Sequence, residues 1–527
     1  MTTTTRSRSE WTAERTPEIA EETVGAVLRR QAADRPDTTA LVATRHDGTS
    51  GRWTYAELLD AAERAAGGLL ELAEPGERVA LWAPNVAEWP IVQYGAALAG
   101  MVLVAPNPAL RPPELEHALR LSGATVLVHA DRVGGYDMAA VAAEVTPALP
   151  GLRHVRSLSE PLDGAPPAPE ERSRPDDPAM IQFTSGTTGH PKGVLLAHRS
   201  LVNNARFTML AAEIGDAPVA IAPLPMFHTA GCVISTLGPA FLGGTMVLIE
   251  RFEPVAVLET MRAEGATVLM SVPTVLGALV ATAGKQDGPA PQLETVLVGA
   301  ATAPGPMIEA AHATFGAHVH NLYGQTELSP VLCLTRRTDS HADLTTSVGR
   351  PLPHTDARVV DPATREVVAL GEVGEVCARG YNQMIHYVDD PEATAAGVDR
   401  DGFLHTGDLG SMDERGMITL TGRLKELIIR GGENVSPAEV EIALAAHPAV
   451  AESAVLGLPD EQWGEIVAAA VRTHEPAPDG LDEELAAHCM SRLTPSKVPV
   501  RWFFVDDLPH TPSGKVQKYV LREQLIP

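Results

Sequence analysis

Cysteine is scarce in this chain. Its 527 residues hold four, at Cys232, Cys333, Cys377 and Cys489. No two stand at zinc-motif spacing, and four over this length make no disulfide framework, so a reducing cytoplasm is expected. Positive charge is scarce too, with 41 Lys and Arg against 67 Asp and Glu for a net −26. That balance argues against nucleic acid or an anionic membrane as partner, and any nucleotide site has to be built locally from a few cations. The first ten residues lack the apolar core of a signal peptide. No uncharged apolar run reaches the about 20 residues that span a bilayer. Internal repeats are missing as well. Residues 1–18 read as a disordered leader.

What is present describes a globular chain too long for a single core: 44% of residues are hydrophobic and 20% charged. Apolar runs at 40–43, 78–82, 101–105, 125–129, 180–183, 193–196, 219–222, 245–249, 267–270 and 295–298 alternate with stretches of helical period. Such alternation predicts βαβ units and largely parallel sheets. Beyond about 340 short strands and tight turns take over. At Thr421-Gly-Arg423 the texture changes again to a small α/β pattern. The expected fold class is α/β, with a large N-terminal domain of stacked, largely parallel sheets plus a β-rich subdomain (19–422). A small, mobile C-terminal α+β domain (423–527) follows, hinged near 422–425.

The stretch Thr184-Ser-Gly-Thr-Thr-Gly-His-Pro-Lys-Gly193 alternates hydroxyl residues with glycines and leads to one lysine. Backbone N–H groups, four hydroxyls and Lys192 suit it to a polyphosphate. A Walker A loop would place the lysine at the opening of a helix. Here Lys192 follows Pro191 and runs into a strand pattern. Standing alone, the stretch reads equally well as a mobile surface turn.

Further motifs follow in order: Tyr323-Gly-Gln-Thr-Glu327, His405-Thr-Gly-Asp-Leu409, Gly422-Arg-Leu-Lys-Glu-Leu-Ile-Ile-Arg-Gly-Gly-Glu-Asn434 and Thr511-Pro-Ser-Gly-Lys515. With the glycine loop they resemble the adenylate-forming superfamily of acyl-CoA synthetases, aryl-CoA ligases, luciferases and peptide-synthetase adenylation domains. The resemblance runs from about residue 20 to the C-terminus.

It implies an ATP-dependent acid–thiol ligase. A carboxylate joins the α-phosphate of ATP with loss of pyrophosphate, and a thiol then displaces AMP. It also implies roles for residues. Thr184, Ser185, Gly186, Thr187, Thr188, Gly189 and Lys192 would hold the β- and γ-phosphates. Glu327, with Thr184, would ligate Mg2+, whose preference is for hard oxygen donors. Gly299, Ala300, Ala301, Asn321, Tyr323, Gly324 and Thr326 would line the nucleotide. Tyr323 would face adenine, and Thr326 the α-phosphate. Asp408 would accept hydrogen bonds from both ribose hydroxyls, and Arg423 would reach ribose or phosphate. Lys515 would bridge carboxylate and α-phosphate. Lys425 would be the hinge, and Gly431, Gly432 and Trp463 would flank the CoA channel. For Trp463 a buried core position is an equally good reading.

His228, in Pro225-Met-Phe-His-Thr-Ala-Gly231, would gate the carboxylate end of an acyl pocket shared with Gly299 and Gly324. No acidic residue lies between 217 and 249 to pair with an α-ammonium, which disfavours an amino-acid substrate. Gly324, where acetate-specific relatives carry tryptophan, and the small residues 299–301 imply a pocket roomier than acetate needs. Two departures from the family pattern are His510, at a position often basic, and Ile385-His386-Tyr387, in place of a frequent Lys-Gly-Tyr. The expected partners are a carboxylic acid, ATP and CoA, with oligomeric state open. Alternatives are an acyl-AMP ligase loading a carrier protein, a luciferase-like oxygenase, and a homologue competent in one half-reaction or none.

Overall fold

The runs Arg78–Trp82 and Val102–Ala105 are apolar almost without break, the pattern of strands covered on both faces. In the computed structural model they sit centrally in a seven-stranded sheet. The model describes residues 7–160, 162–166, 172–184, 191–286, 288–301, 303–430, 433–460, 463–511 and 515–525, and only the backbone of 425, 433, 434 and 464. The seven strands run in the order His386–Tyr387, Lys192–Ala197, Pro178–Thr184, Val102–Ala105, Arg78–Trp82, Val126–His129, His154–Ser157. The last five are parallel, and the first three pair antiparallel.

A nine-stranded sheet has a parallel centre that includes Val268–Ser271, Thr295–Val298 and His318–Gly324. Helix Glu88–Ala99 is buried nearly all round, as a helix packed between layers must be. Leu81 and Val104 of one sheet and Leu41 and Met246 of the other belong to one continuous apolar core. Helix Tyr55–Leu70 starts at a capping box, Thr54 and Glu57 exchanging bonds with each other's backbone. A five-stranded sheet containing Thr355–Val360, Gly374–Gly380, Leu404–Met412 and Ile418–Arg423 forms the β-rich part.

The C-terminal region has its own sheet, with Ile428–Arg430, Val450–Asp460, Gly464–Thr473 and Arg501–Phe504. Its apolar clusters, around Val455 and Val467 and around Leu456 and Leu508, are separate from those before it. This is the small C-terminal domain. Between the two domains Gly422 has φ of +152°. A Cβ there would lie 2.3 Å from Ser436 Oγ, so only glycine fits the crossing.

The disordered leader needs correction over residues 7–18. Strand Glu10–Trp11 adds to the edge of the five-stranded sheet, opposite Arg358 and Ala357. The Ala13 amide and the Arg15 guanidinium both bond Asp356, at 3.0 and 2.8 Å. Order there comes from long-range pairing with an edge strand, which composition does not register.

Candidate active site

The segment expected to hold phosphates is built by strand pairing. Strand Pro178–Thr184 returns antiparallel as Lys192–Ala197, with Thr184 directly opposite Lys192. The glycine loop is therefore the closing loop of a hairpin whose base is fixed at both ends. Ser185, Gly186, Thr187, Thr188 and Gly189 lie outside the described residues. Lys192 Nζ stands 3.4 Å from Asp390 and 4.7 Å from the ring centroid of Tyr387. The phenol of Tyr387 donates a 2.8 Å bond to Glu327. Glu327 and Thr326 sit on a short 3-10 turn, Thr326–Leu328, at the end of strand His318–Gly324. The buried Asn204 anchors the turn, bonding Leu328 O and both backbone groups of Val331. A carboxylate at Glu327 and a hydroxyl at Thr184 are hard donors of the kind Mg2+ takes alongside water and phosphate oxygens. The residues present fit that ion.

Asp408, expected at the ribose, is only 5% exposed. One of its oxygens accepts from Tyr323 OH at 2.6 Å and the other from Arg423 Nε at 2.9 Å. Burial first, and the Asp408 carboxylate second, hold the Tyr323 phenol well above its ordinary pKa. Each carboxylate oxygen keeps a further lone pair for a ribose hydroxyl. The turn before Asp408 is braced by Glu375, which accepts from the Gly407 amide at 3.0 Å and from His405 at 2.7 Å.

Gly299, Ala300 and Ala301 follow strand Thr295–Val298 at its carboxyl end, where ligands of parallel sheets gather. Ala300 has φ of +68°, an unusual conformation for a residue with a Cβ. The Asn321 side chain is bonded within the chain. It accepts from the Ala303 amide at 3.1 Å and donates to Leu344 O at 2.9 Å, so it tethers the segment behind Ala301.

Asn85 holds the segment before His228 by bonds to Leu224 O and the Met226 amide, and ties it to Ile249 O. His228 packs against Phe227, ring centroids 4.4 Å apart. A π-helical turn, Ala230–Ser235, follows; such turns frequent functional sites. Burial, then the nearby Lys515 cation, lowers the His228 pKa to about 4, so the ring is neutral at neutral pH. Gly324 has a backbone reason of its own. A Cβ at 324 would lie 1.9 Å from Pro330 O. The glycine is demanded by a backbone approach that sequence spacing does not reveal.

Lys515 crosses from the small domain. Residues 512–514 lie outside the described residues, but the loop's base is tied by Thr511 N to Lys515 O at 2.7 Å and Gln517 N to Pro509 O at 2.7 Å. Lys515 itself is exposed. Burial by the surrounding atoms, then the Arg423 cation, lowers its ammonium's pKa, against the carboxylates of Asp408, Glu426 and Glu327. Lys515 thus lies within electrostatic reach of His228, Glu327, Asp408 and Arg423. His510 pairs with Glu452 at 2.7 Å inside the small domain. Trp463 is 45% exposed, under the guanidinium of Arg430 at 5.8 Å. The core-tryptophan alternative therefore falls. Lys425 lies in the 3-10 turn Leu424–Glu426, its side chain outside the described residues, as are Gly431 and Gly432.

Tyr387, Asn204 and Asn85 went unnoticed as site-builders. Tyr387 stands 60 positions from Glu327. The available signal was the tyrosine retained within the unusual Ile385-His386-Tyr387.

Buried histidines also set an acid limit. Burial lowers His198 and His228 to about 4 and His320 to about 3, from 6.5. Between those values the unfolded chain binds more protons than the folded one. Their contribution to stability is thus whole above 6.5 and is lost as pH falls toward 4. Equilibrium denaturation is expected to show stability dropping steadily between pH 6.5 and 4.5. A flat profile would contradict these burials.

Residues 28–388 match the family described as AMP-binding enzyme, and residues 439–515 its C-terminal domain. The chain is 33% identical to the mitochondrial medium-chain acyl-CoA ligase ACSF2 of Rattus norvegicus, over 96% of this chain and 88% of that one. To the acyl-CoA ligase SID4 of Ajellomyces capsulatus it is also 33% identical, over 96% and 92%. The anthranilate CoA ligase AuaEII, solved in complex with anthranoyl-AMP, superposes with a TM-score of 0.85 at 25% identity, covering 96% of this chain and 98% of that one.

Proposed function

The chain belongs to the AMP-binding enzyme family, and from that premise we propose how its residues divide the work and which acid they take. It is an AMP-forming acid–CoA ligase that works through an acyl-adenylate; the acceptor thiol is that of CoA. The substrate carboxylate oxygen bonds the α-phosphorus of ATP and pyrophosphate leaves. The CoA sulfur then bonds the acyl carbon and AMP leaves.

Two anions must be brought together in the first step, so cations aimed at the forming bond matter most. Lys515 supplies that charge between carboxylate and α-phosphate. Lys192 and the glycine loop hold the leaving pyrophosphate. Asp408 fixes the ribose, with Tyr323 and Arg423 fixing Asp408. Neutral His228 stands at the acyl carboxylate, where it donates a hydrogen bond without adding charge. Mg2+, when bound at Glu327 and Thr184, neutralises phosphate charge.

The observation that supports this division is that the Lys515 ammonium lies within electrostatic reach of His228, Glu327, Asp408 and Arg423. That is the arrangement of the adenylating step. For the transfer step the small domain turns about Gly422–Lys425, withdrawing Lys515 and presenting Gly431, Gly432 and Trp463 to CoA. Four free, buried cysteines accord with a reducing compartment. Among the described residues no helix is long and apolar enough to cross a membrane.

The acid carries an uncharged tail of medium length. The segment beside His228 is apolar and buried at Met226, Phe227, Cys232, Val233 and Ile234, with no ionic partner for a charged acyl tail. A panel of acids with ATP, Mg2+ and CoA, read for AMP and acyl-CoA, is expected to favour medium-chain aliphatic acids over acetate, amino acids and dicarboxylates. Preference for acetate or a dicarboxylate would overturn this choice of acid.

A further inference from the structure

Residues 384–388 splint together two parts of the site that are far apart in the chain. The Met384 amide bonds Glu327 O, the Ile385 amide bonds Leu195 O and the Val388 amide bonds Gly193 O, each at 2.8 Å. His386–Tyr387 pairs antiparallel with the strand that begins at Lys192, Tyr387 opposite Val194. The segment therefore joins the exit of the glycine loop to the turn that carries Glu327.

Tyr387 stands at the centre of that splint and touches both charged groups. Its hydroxyl donates to Glu327 Oε1 at 2.8 Å. Its ring face lies 4.7 Å from Lys192 Nζ, within cation–π range. Its backbone amide is fixed by Thr394 Oγ1 at 3.0 Å. Lys192 has a second tie, to Asp390 at 3.4 Å.

We propose that Tyr387 is a positioning residue that keeps Glu327 and Lys192 apart and aimed, the carboxylate at the cation site and the ammonium at the phosphates. Long side chains of opposite charge that both reach one residue would, without it, be free to pair with each other, and ATP would have to break that pair. The ring interposes an apolar spacer that still attracts the ammonium. The hydroxyl occupies one lone pair on one Glu327 oxygen and leaves the other lone pairs for a divalent cation and its water.

The inference rests on the functional reading above, and its test separates the two. Full-length wild type, Tyr387→Phe and Tyr387→Leu are titrated with ATP, first in EDTA and then at rising Mg2+, by calorimetry and without any acid. The phenylalanine keeps the ring and loses the hydroxyl. It is expected to raise the Mg2+ concentration that half-saturates the gain in ATP affinity about tenfold, while metal-free ATP affinity stays within about twofold. The leucine loses both contacts and is expected to weaken metal-free binding about tenfold as well, as Lys192 swings to Glu327. Thermal melts check that each variant is folded.

An unchanged Mg2+ midpoint in the folded phenylalanine variant overturns the proposal. So does an equal loss with and without Mg2+ in that variant, which would mark a merely structural role. Failure of the functional reading shows elsewhere, as a wild type that binds ATP yet releases no pyrophosphate on addition of any acid.

Discussion

Replacing Lys515 by alanine is expected to slow acid-dependent pyrophosphate release by about 10²–10³, or roughly 3–4 kcal/mol, the usual cost of one transition-state contact. Transfer from a supplied acyl-adenylate to CoA should stay within about threefold, because that step uses the small domain turned away. The two halves are measured separately, by pyrophosphate release and by thioester formation. Near-wild-type pyrophosphate release would remove Lys515 from the chemistry.

A pH signature accompanies the substitution. Burial by surrounding atoms and then Arg423 lower the Lys515 pKa. Its charge is present below that pKa and is lost as pH rises through it. The adenylating step is therefore expected to fail on the alkaline side at lower pH than an ordinary lysine would cause. Lys515→Arg should move that limb upward, and the transfer step should lack it. Bound ATP, being anionic, opposes the downward shift, so the limb is best read in kcat/KM for the acid and for ATP rather than in kcat.

Asp408→Asn is expected to raise the KM for ATP about 10–10²-fold, the ~1.5–3 kcal/mol of a hydrogen bond to a charged group. Arg423 will not add a full buried-charge penalty, since its side chain is 51% exposed and water can take over from the carboxylate. The assignment to ribose makes a sharper demand than lost affinity. With 2′-deoxy-ATP the wild type should lose most of its advantage over the variant, because one of the two donors is gone. An equal ratio of the two enzymes on ATP and 2′-deoxy-ATP would show that Asp408 acts only by holding Tyr323 and Arg423. A comparison with Tyr323→Phe then apportions the indirect part.

Much of this architecture was legible in the chain. The doubly covered strands declared themselves by unbroken apolar runs, and the small domain by a change of texture at Thr421. The five motifs, strung over about three hundred residues, identified the chemistry. Contacts between distant segments were not legible. Strand Glu10–Trp11 depends on Arg358, and Tyr387 on Glu327; neither pairing leaves a local period. Asn321 sits among nucleotide-lining positions in sequence, yet its polar atoms serve Ala303 and Leu344. Sequence order says that such a residue is near a site. Only hydrogen-bond geometry says which way it faces.

The carbonyl of Pro330 bears on attempts to retool the enzyme. Narrowing a pocket by writing a bulky residue at position 324 is a natural idea if the glycine is taken for open space. With Pro330 O where it stands, a side chain there requires the backbone at Pro330 and Val331 to shift as well, as it must in relatives that carry tryptophan. Redesign toward smaller acids has to move that backbone together with the side chain.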